Sequence, residues 1–121
     1  VFHDDAESVL RSYIHADFAL LASPLVMGYV SALSKTMLDR LIPLIHPYLE
    51  EVDGEVHHLK RYATYPRLGL LLKEEADTDE GDRSIVHDIF TRAAINIRSN
   101  LDFVLYDETT PREAAHAIDV H

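Results

Sequence analysis

The sequence predicts an α/β domain in which a parallel sheet carries helices on both faces. Three short apolar runs have the length of buried strands, and segments with helically spaced apolar residues separate them. Strands that alternate with helices imply right-handed crossovers and a parallel sheet. The chain has 121 residues, 47% of them hydrophobic, which suits a single domain over residues 1–121 and leaves no room for a second.

The chain opens with a predicted helix followed by the first strand. Asp4 and Glu7 have the spacing of a capping box ahead of apolar residues, which indicates a helix start. The apolar run over 18–22 suits a strand that is buried on both faces. We expect that strand to end at Ser23-Pro24, because proline cannot donate a hydrogen bond to a strand ladder.

A second helix and a less regular stretch follow. Ser31 can cap a helix whose apolar residues recur at helical spacing over 31–46. Pro43 must kink or end this helix, because it lacks an amide donor and clashes with the preceding turn. The stretch over 47–66 has no clear period, although the Asp-Gly pair at 53–54 indicates a turn.

The second half alternates in the same way. The run over 68–72 is the second predicted strand, and the acidic segment 74–82 is expected to be a solvated loop. Apolar spacing predicts a helix over 85–97, and the run over 101–106 is the third strand. Pro111 then suits the first turn of a short final helix.

Composition narrows the classes of function. The 21 acidic residues outnumber the 11 Lys and Arg, and the net charge of −10 disfavours binding to nucleic acid and to acidic membrane surfaces. The sequence has no cysteine, which excludes disulfides, thiolate metal sites and iron–sulfur clusters. No apolar stretch approaches the ~18 residues of a membrane span. We therefore expect a cytoplasmic protein that neither enters membranes nor binds nucleic acid.

The segment after the first strand is the candidate site, because open α/β sheets bind ligands beyond the carboxyl ends of their strands. It combines a proline-led loop, a glycine and a helix start, which can direct backbone amides toward a flat, hydrogen-bonding ring. The segment resembles the flavin-ring loop of the flavodoxin-like NAD(P)H-dependent FMN reductases. The positions in step with that pattern are Ser23, Pro24, Gly28, Ser31, Lys35, Asp39 and Arg40.

The resemblance implies a flavodoxin-like three-layer sandwich that binds FMN. It also implies that NAD(P)H reduces the flavin, which then reduces a small acceptor such as a quinone or free flavin. The cofactor-binding positions it implies are Ser23, Pro24, Leu25, Val26, Met27 and Gly28. The family's phosphate-binding loop lies after its first strand and is not present here, so the chain is expected to be a C-terminal portion, incomplete at its N-terminus.

Two further hypotheses come from the residues. The alternative function is a non-catalytic flavodoxin-like domain for self-association or binding of a protein partner, which the missing phosphate loop and the acidic segment favour. A homodimer through helix 31–46 is expected, because the apolar stripe of that helix is wider than one sheet face needs. His57 and His58 are a weak metal candidate, since adjacent residues point apart on a strand.

Overall fold

The computed structural model describes residues 4–106 and 111–120 and contains both helices and strands. In these residues the helices are α1 (Ala6–His15), α2 (Ala32–Asp39), α3 (Glu80–Asn96) and α4 (Pro111–Val120). The strands are β1 (Phe18–Val26), β2 (Tyr29–Val30), β3 (Ile45–Val52), β4 (Glu55–Lys60), β5 (Arg67–Lys73) and β6 (Asn100–Tyr106). The predictions of strands over 68–72 and 101–106, and of a final helix beginning at Pro111, are confirmed.

The main sheet has the strand order β2-β1-β5-β6. Strand β5 lies in the middle and runs parallel to β1 and to β6, with Leu70 opposite both Leu21 and Val104. The two-residue strand β2 folds back antiparallel on the end of β1. Strands β3 and β4 form a separate antiparallel pair. The chain is thus a mixed α/β protein with a mostly parallel sheet, as predicted.

Helices α1, α2 and α3 pack on one face of this sheet. The centre of the core joins Leu70 and Leu72 of β5 to Val86 and Phe90 of α3, and all four side chains are fully buried. A second cluster links α1 and the segment after α2 to the end of α3, and Leu38 of α2 contacts both clusters. These continuous apolar contacts hold α3 against the sheet.

The opposite face of the sheet is more open. Phe18 and Phe103 stack there with ring centroids 5.5 Å apart, and Arg67 lies over the Phe18 ring. Leu20 and Val26 of β1 point to this side and are 42% and 49% exposed. Helices α1 to α3 therefore do not cover both faces, although the sequence predicted a sheet covered on both.

Strand β1 is longer than predicted. It continues past Ser23 and Pro24 to Val26 instead of ending at the proline. Pro24 occupies the last pair of the parallel ladder, opposite Lys73, where the missing amide removes at most a terminal hydrogen bond. The prediction that the proline ends the strand is wrong because proline is tolerated at such a terminal position.

The predicted helix 31–46 is also too long. Ser31 caps α2 as expected, accepting a hydrogen bond from the Ser34 amide at 3.3 Å, but the helix ends at Asp39. Pro43 lies in a 3-10 turn over Ile42–Leu44, and β3 begins at the next residue. The helical spacing therefore continued through residues that belong to a turn and a strand, because a proline ends a helix whatever the spacing around it.

The stretch over 47–66, predicted to be irregular, contains most of a β-hairpin. The turn between β3 and β4 consists of Asp53 and Gly54, with φ angles of 52° and 78°. Positive φ at both central residues is the geometry of a two-residue hairpin turn. The predicted turn at 53–54 is confirmed, and the strands on either side of it were missed.

Helix α3 begins at Glu80, inside the segment predicted to be a loop. Asp79 caps it by accepting from the Asp82 amide at 2.9 Å, and Asp82 accepts in return from the Asp79 amide at 3.1 Å. This reciprocal capping box and the acidic first turn stabilise the helix start. At α1 the predicted box is replaced by two local contacts, because Asp4 accepts from the Ala6 amide and Glu7 pairs with Arg11.

Candidate functional site

The segment after the first parallel strand is a tight hairpin. Met27 and Gly28 form the two-residue turn between β1 and β2, with φ angles of 54° and 76°. Positive φ at both positions matches the right-handed twist of the strands. The turn lies beyond the carboxyl end of β1, the edge at which open α/β sheets bind ligands. Residues 23–28 form the hairpin tip.

The Ser23 hydroxyl ties the hairpin tip to the start of α2. Its Oγ donates to the Pro24 carbonyl at 2.8 Å and accepts from the Ser31 amide at 3.0 Å. Ser31 in turn caps α2 through its own side chain. Because the Ser23 side chain is buried, its two hydrogen bonds hold the strand end and the helix start in one arrangement.

The structure places the six predicted cofactor-binding residues differently, with Gly28 of the turn half-buried. Ser23 and Leu25 point inward, and Leu25 is only 3% exposed, packed in the main core. Pro24, Val26 and Met27 are exposed, with Met27 at 92%. Pro24 and Val26 lie on the same side of β1, because side chains alternate along a strand. The outward part of the hairpin tip is therefore a small apolar surface supported from behind by Leu25.

Acidic side chains from the segment after β5 surround the hairpin tip. Glu75 accepts a hydrogen bond from the Met27 amide at 3.1 Å. An Asp82 carboxylate oxygen lies 3.3 Å from the position that a Cβ on Gly28 would occupy. The Gly28 amide has no partner within residues 4–106 and 111–120. One backbone donor of the turn is thus bound to a carboxylate, and the next makes no hydrogen bond within the described residues.

Arg83 offsets part of this negative charge. Its guanidinium donates to Glu74 at 2.6 and 3.1 Å and to Glu80 at 3.2 Å, and it lies over the Tyr106 ring. The hydrogen bonds to Glu74, and then those to Glu80, raise the pKa of Arg83 above its usual range. Glu74 is a half-buried ion-pair partner, so the prediction that all of 74–82 is a solvated loop is wrong at this residue.

A second polar group, not predicted from the sequence, lies at the opposite edge of the sheet. Arg92 of α3 donates two hydrogen bonds to the Glu55 carboxylate of β4, both at 3.1 Å, and His57 Nε2 lies 3.1 Å from the same carboxylate. The His57 side chain is buried, whereas His58 turns the other way and bonds the His46 carbonyl. Glu55 and His57 are two residues apart, and such side chains lie on the same face of a strand. This spacing could have indicated from the sequence that the two are neighbours.

A groove lies between α2 and α3 and includes Ile42 from the segment after α2. The groove has a volume of about 500 Å³, and Ile42 and Ile89 on its walls are both more than 40% exposed. Leu41 and Ile45, apolar residues of the predicted helix 31–46, are instead buried in the same chain's core. Only part of that stripe therefore remains available at the surface.

Comparisons with known proteins provide no relative. No protein-family model matches the chain, and no curated protein matches it significantly. Within the described ranges, no helix combines the length and apolar character needed to cross a bilayer. The residues and their geometry are therefore the basis for a functional proposal.

Proposed function

We propose that this chain is part of a flavodoxin-like, FMN-dependent NAD(P)H oxidoreductase, with the hairpin tip beside the flavin ring. The supporting observation is the order of the parallel strands. Strands β1, β5 and β6 lie side by side in the sheet in the same order as along the chain. The last three strands of the flavodoxin-like order 2-1-3-4-5 do the same. In that order the flavin site lies at the carboxyl end of the first of the three, which corresponds to β1.

The outward residues of the hairpin tip suit the ring of the cofactor. Pro24 and Val26 offer an apolar surface on one side of β1. The Gly28 amide, which has no partner in the described residues, would donate to a ring oxygen or nitrogen. Ser23 and Leu25 would act from behind, by holding the turn in place. Of the six residues implied by the resemblance, we assign ring contact to Pro24, Val26, Met27 and Gly28.

The described residues fit the ring better than the phosphate. Neither β1 nor β5 is followed by a turn rich in Ser, Thr and Gly that could bind a phosphate through its amides. The proposal therefore assigns only ring contacts to this chain. When bound, the flavin supplies hydride transfer between the nicotinamide and a small acceptor such as a quinone, and the protein orients the ring. A cytoplasmic location accompanies this proposal.

Flavin titrations of the purified chain test this assignment. We expect riboflavin and FMN to bind with similar affinity, because the two differ only by a phosphate for which no partner is assigned. Binding is measured by quenching of flavin fluorescence. If neither flavin binds, or if Pro24→Ala and Val26→Ser leave the affinity unchanged, the assignment of the ring to the hairpin tip is wrong.

Glu75→Ala sharpens the test. The substitution frees the Met27 amide and removes a negative charge beside the ring, so flavin affinity should rise roughly fivefold, or about 1 kcal/mol. Asp77→Ala is the matched control, because Asp77 is an exposed acid of the same segment without a partner in the described residues. Equal effects of the two substitutions would show that general charge, and not the Met27 contact, controls binding.

A second candidate function is self-association without catalysis. The groove between α2 and α3, with the exposed side chains of Ile42 and Ile89, favours it. If a homodimer forms there, Ile42→Glu should convert it to a monomer in light scattering. Leu33→Glu is the control, since Leu33 is 81% exposed on α2 but does not line the groove. A monomeric mass of the unmodified protein at high concentration would contradict this function.

A further inference from the structure

A polar cleft lies at the edge of the sheet opposite the hairpin tip. It separates β4 from the turn between α3 and β6 and has a volume of about 500 Å³, within the range of small-molecule sites. Its polar walls include His57, Arg98 and Asn100, and Val52 and Ile95 form an apolar part. Because Asn100 begins β6, the cleft is at the amino ends of the parallel strands, remote from the proposed flavin position.

His57 is held in one orientation, and one of its ring nitrogens makes no hydrogen bond in the described residues. The Arg92 guanidinium fixes the Glu55 carboxylate through two hydrogen bonds, and an ionised carboxylate can only accept, so His57 Nε2 carries the hydrogen in that contact. The side chain is 6% exposed, and Nδ1 has no hydrogen-bond partner. No fully buried side-chain polar atom in the described residues lacks a partner, so Nδ1 keeps contact with solvent.

Arg98 lines the same cleft and has unused donors. Its Nη1 forms an ion pair with Glu50 at 3.0 Å and donates to the His58 carbonyl at 3.1 Å, while Nε and Nη2 have no partner among the described residues. The side chain is only 12% exposed, so these two contacts hold the guanidinium in place. Nε and Nη2 form one side of the planar fork that binds a carboxylate with two parallel hydrogen bonds.

The backbone at Arg98 is fixed by the end of α3. Arg98 has φ of 63° and follows α3 in a Schellman arrangement, with its amide bonded to Ile95 and the Ser99 amide bonded to Ala94. The Arg98 side chain therefore leaves the backbone from a fixed position beside the cleft.

We infer that this cleft binds a small organic carboxylate. The carboxylate would accept hydrogen bonds from Nε and Nη2 of Arg98, with its apolar part against Val52 and Ile95. The carboxylate would lie clear of His57 Nδ1, which is an acceptor because Nε2 carries the hydrogen. Asp53, Glu55 and Lys60 also line the cleft, and the two negative charges oppose a doubly charged phosphate more than a singly charged carboxylate. The inference does not depend on the proposed flavin chemistry.

Nuclear magnetic resonance titration of the full chain with sodium butyrate tests this site. We expect saturable shifts of the amide signals of residues 52–60 and 95–100, stronger binding of butyrate than of acetate, and no binding of butyramide. Inorganic phosphate should bind more weakly than butyrate. Shifts that do not saturate, or tighter binding of phosphate than of butyrate, would overturn the assignment of a carboxylate site.

Two substitutions test the group responsible. Arg98→Lys keeps the charge but loses the fork, so it should weaken butyrate binding about tenfold. Arg61→Lys is the matched control, because Arg61 is exposed after β4 and its side chain has no partner in the described part of the chain. Circular dichroism confirms that each variant folds. Unchanged binding in folded Arg98→Lys would refute the site.

Discussion

The two β-hairpins of this protein share one turn geometry and differ in almost everything around it. Met27-Gly28 and Asp53-Gly54 have nearly the same pairs of φ angles, 54° and 76° against 52° and 78°. The first hairpin extends the main sheet by two residue pairs, whereas the second forms its own two-stranded sheet. The turn conformation is therefore local, and the surroundings decide what each hairpin contributes.

Burial is the main difference. Leu25 and Val30 of the first hairpin are 3% and 4% exposed in the core. Leu49 and Val56 of the second are 59% and 65% exposed. Since buried apolar area contributes most of the stability, the short first hairpin should matter more to folding than the long second one. The second is held to the rest of the chain by buried Ile45 at its base and by polar contacts, such as that between Glu55 and Arg92.

The largest expected effect compares a leucine from each hairpin. Leu25→Ala should lower the free energy of unfolding by about 3 kcal/mol, because it leaves a cavity in a packed core. Leu49→Ala should change it by less than about 0.5 kcal/mol, because the side chain is largely in water. Urea unfolding measures both values. Similar losses would show that the second hairpin is packed more tightly than its exposure indicates.

The two glycines of the turns provide the next comparison. Gly28→Ala and Gly54→Ala should each cost about 1 kcal/mol, because alanine is strained at these positive φ angles. The cost at Gly28 should be greater, since the new Cβ would lie 3.3 Å from an Asp82 oxygen, whereas no atom lies within 4 Å at Gly54. Thermal unfolding ranks the two variants. A lower cost at Gly28 would mean that Asp82 moves aside freely despite its capping contact.

The same contrast explains what could be predicted from the sequence. An Asp-Gly pair is a strong turn signal, and the turn at 53–54 was identified from it. The strands beside it were missed because their apolar side chains face solvent and show no clean alternation. At residues 27–28 the sequence indicated only a loop, because methionine rarely adopts positive φ.

The candidate site was predictable in position but not in detail. Alternating strands and helices place a binding edge after the first parallel strand, and Ser23, Pro24 and Gly28 lie there. The inward direction of Leu25 depends on how far β1 continues, which the proline obscured. The contact between Met27 and Glu75 joins residues 48 positions apart, and no local pattern encodes such a pairing.

Arg98 beside the second hairpin allows backbone strain to be separated from side-chain contacts. Arg98→Gly and Arg98→Ala both lose the bonds to Glu50 and to the His58 carbonyl. Only glycine relieves the positive φ, so the glycine variant should be more stable than the alanine variant by about 1 kcal/mol. Chemical unfolding of the pair gives this difference directly. Equal stabilities would indicate that the turn relaxes when the side chain is removed.

The smallest expected effect is on the pH dependence of stability, to which Glu55 of the second hairpin contributes. Hydrogen bonds from Arg92, with a smaller contribution from His57, hold the pKa of Glu55 below its usual value of 4.5. A lowered folded-state pKa means that Glu55 contributes stability above its unfolded value, and that this contribution is lost as the pH falls through the folded value. Glu55→Gln should therefore flatten the dependence of stability on pH below about 4.5. Glu51→Gln changes the same charge on exposed β3 without a described partner, so it should keep the dependence. If both variants behave alike, the ion pair does not anchor the hairpin, and burial alone distinguishes the two hairpins.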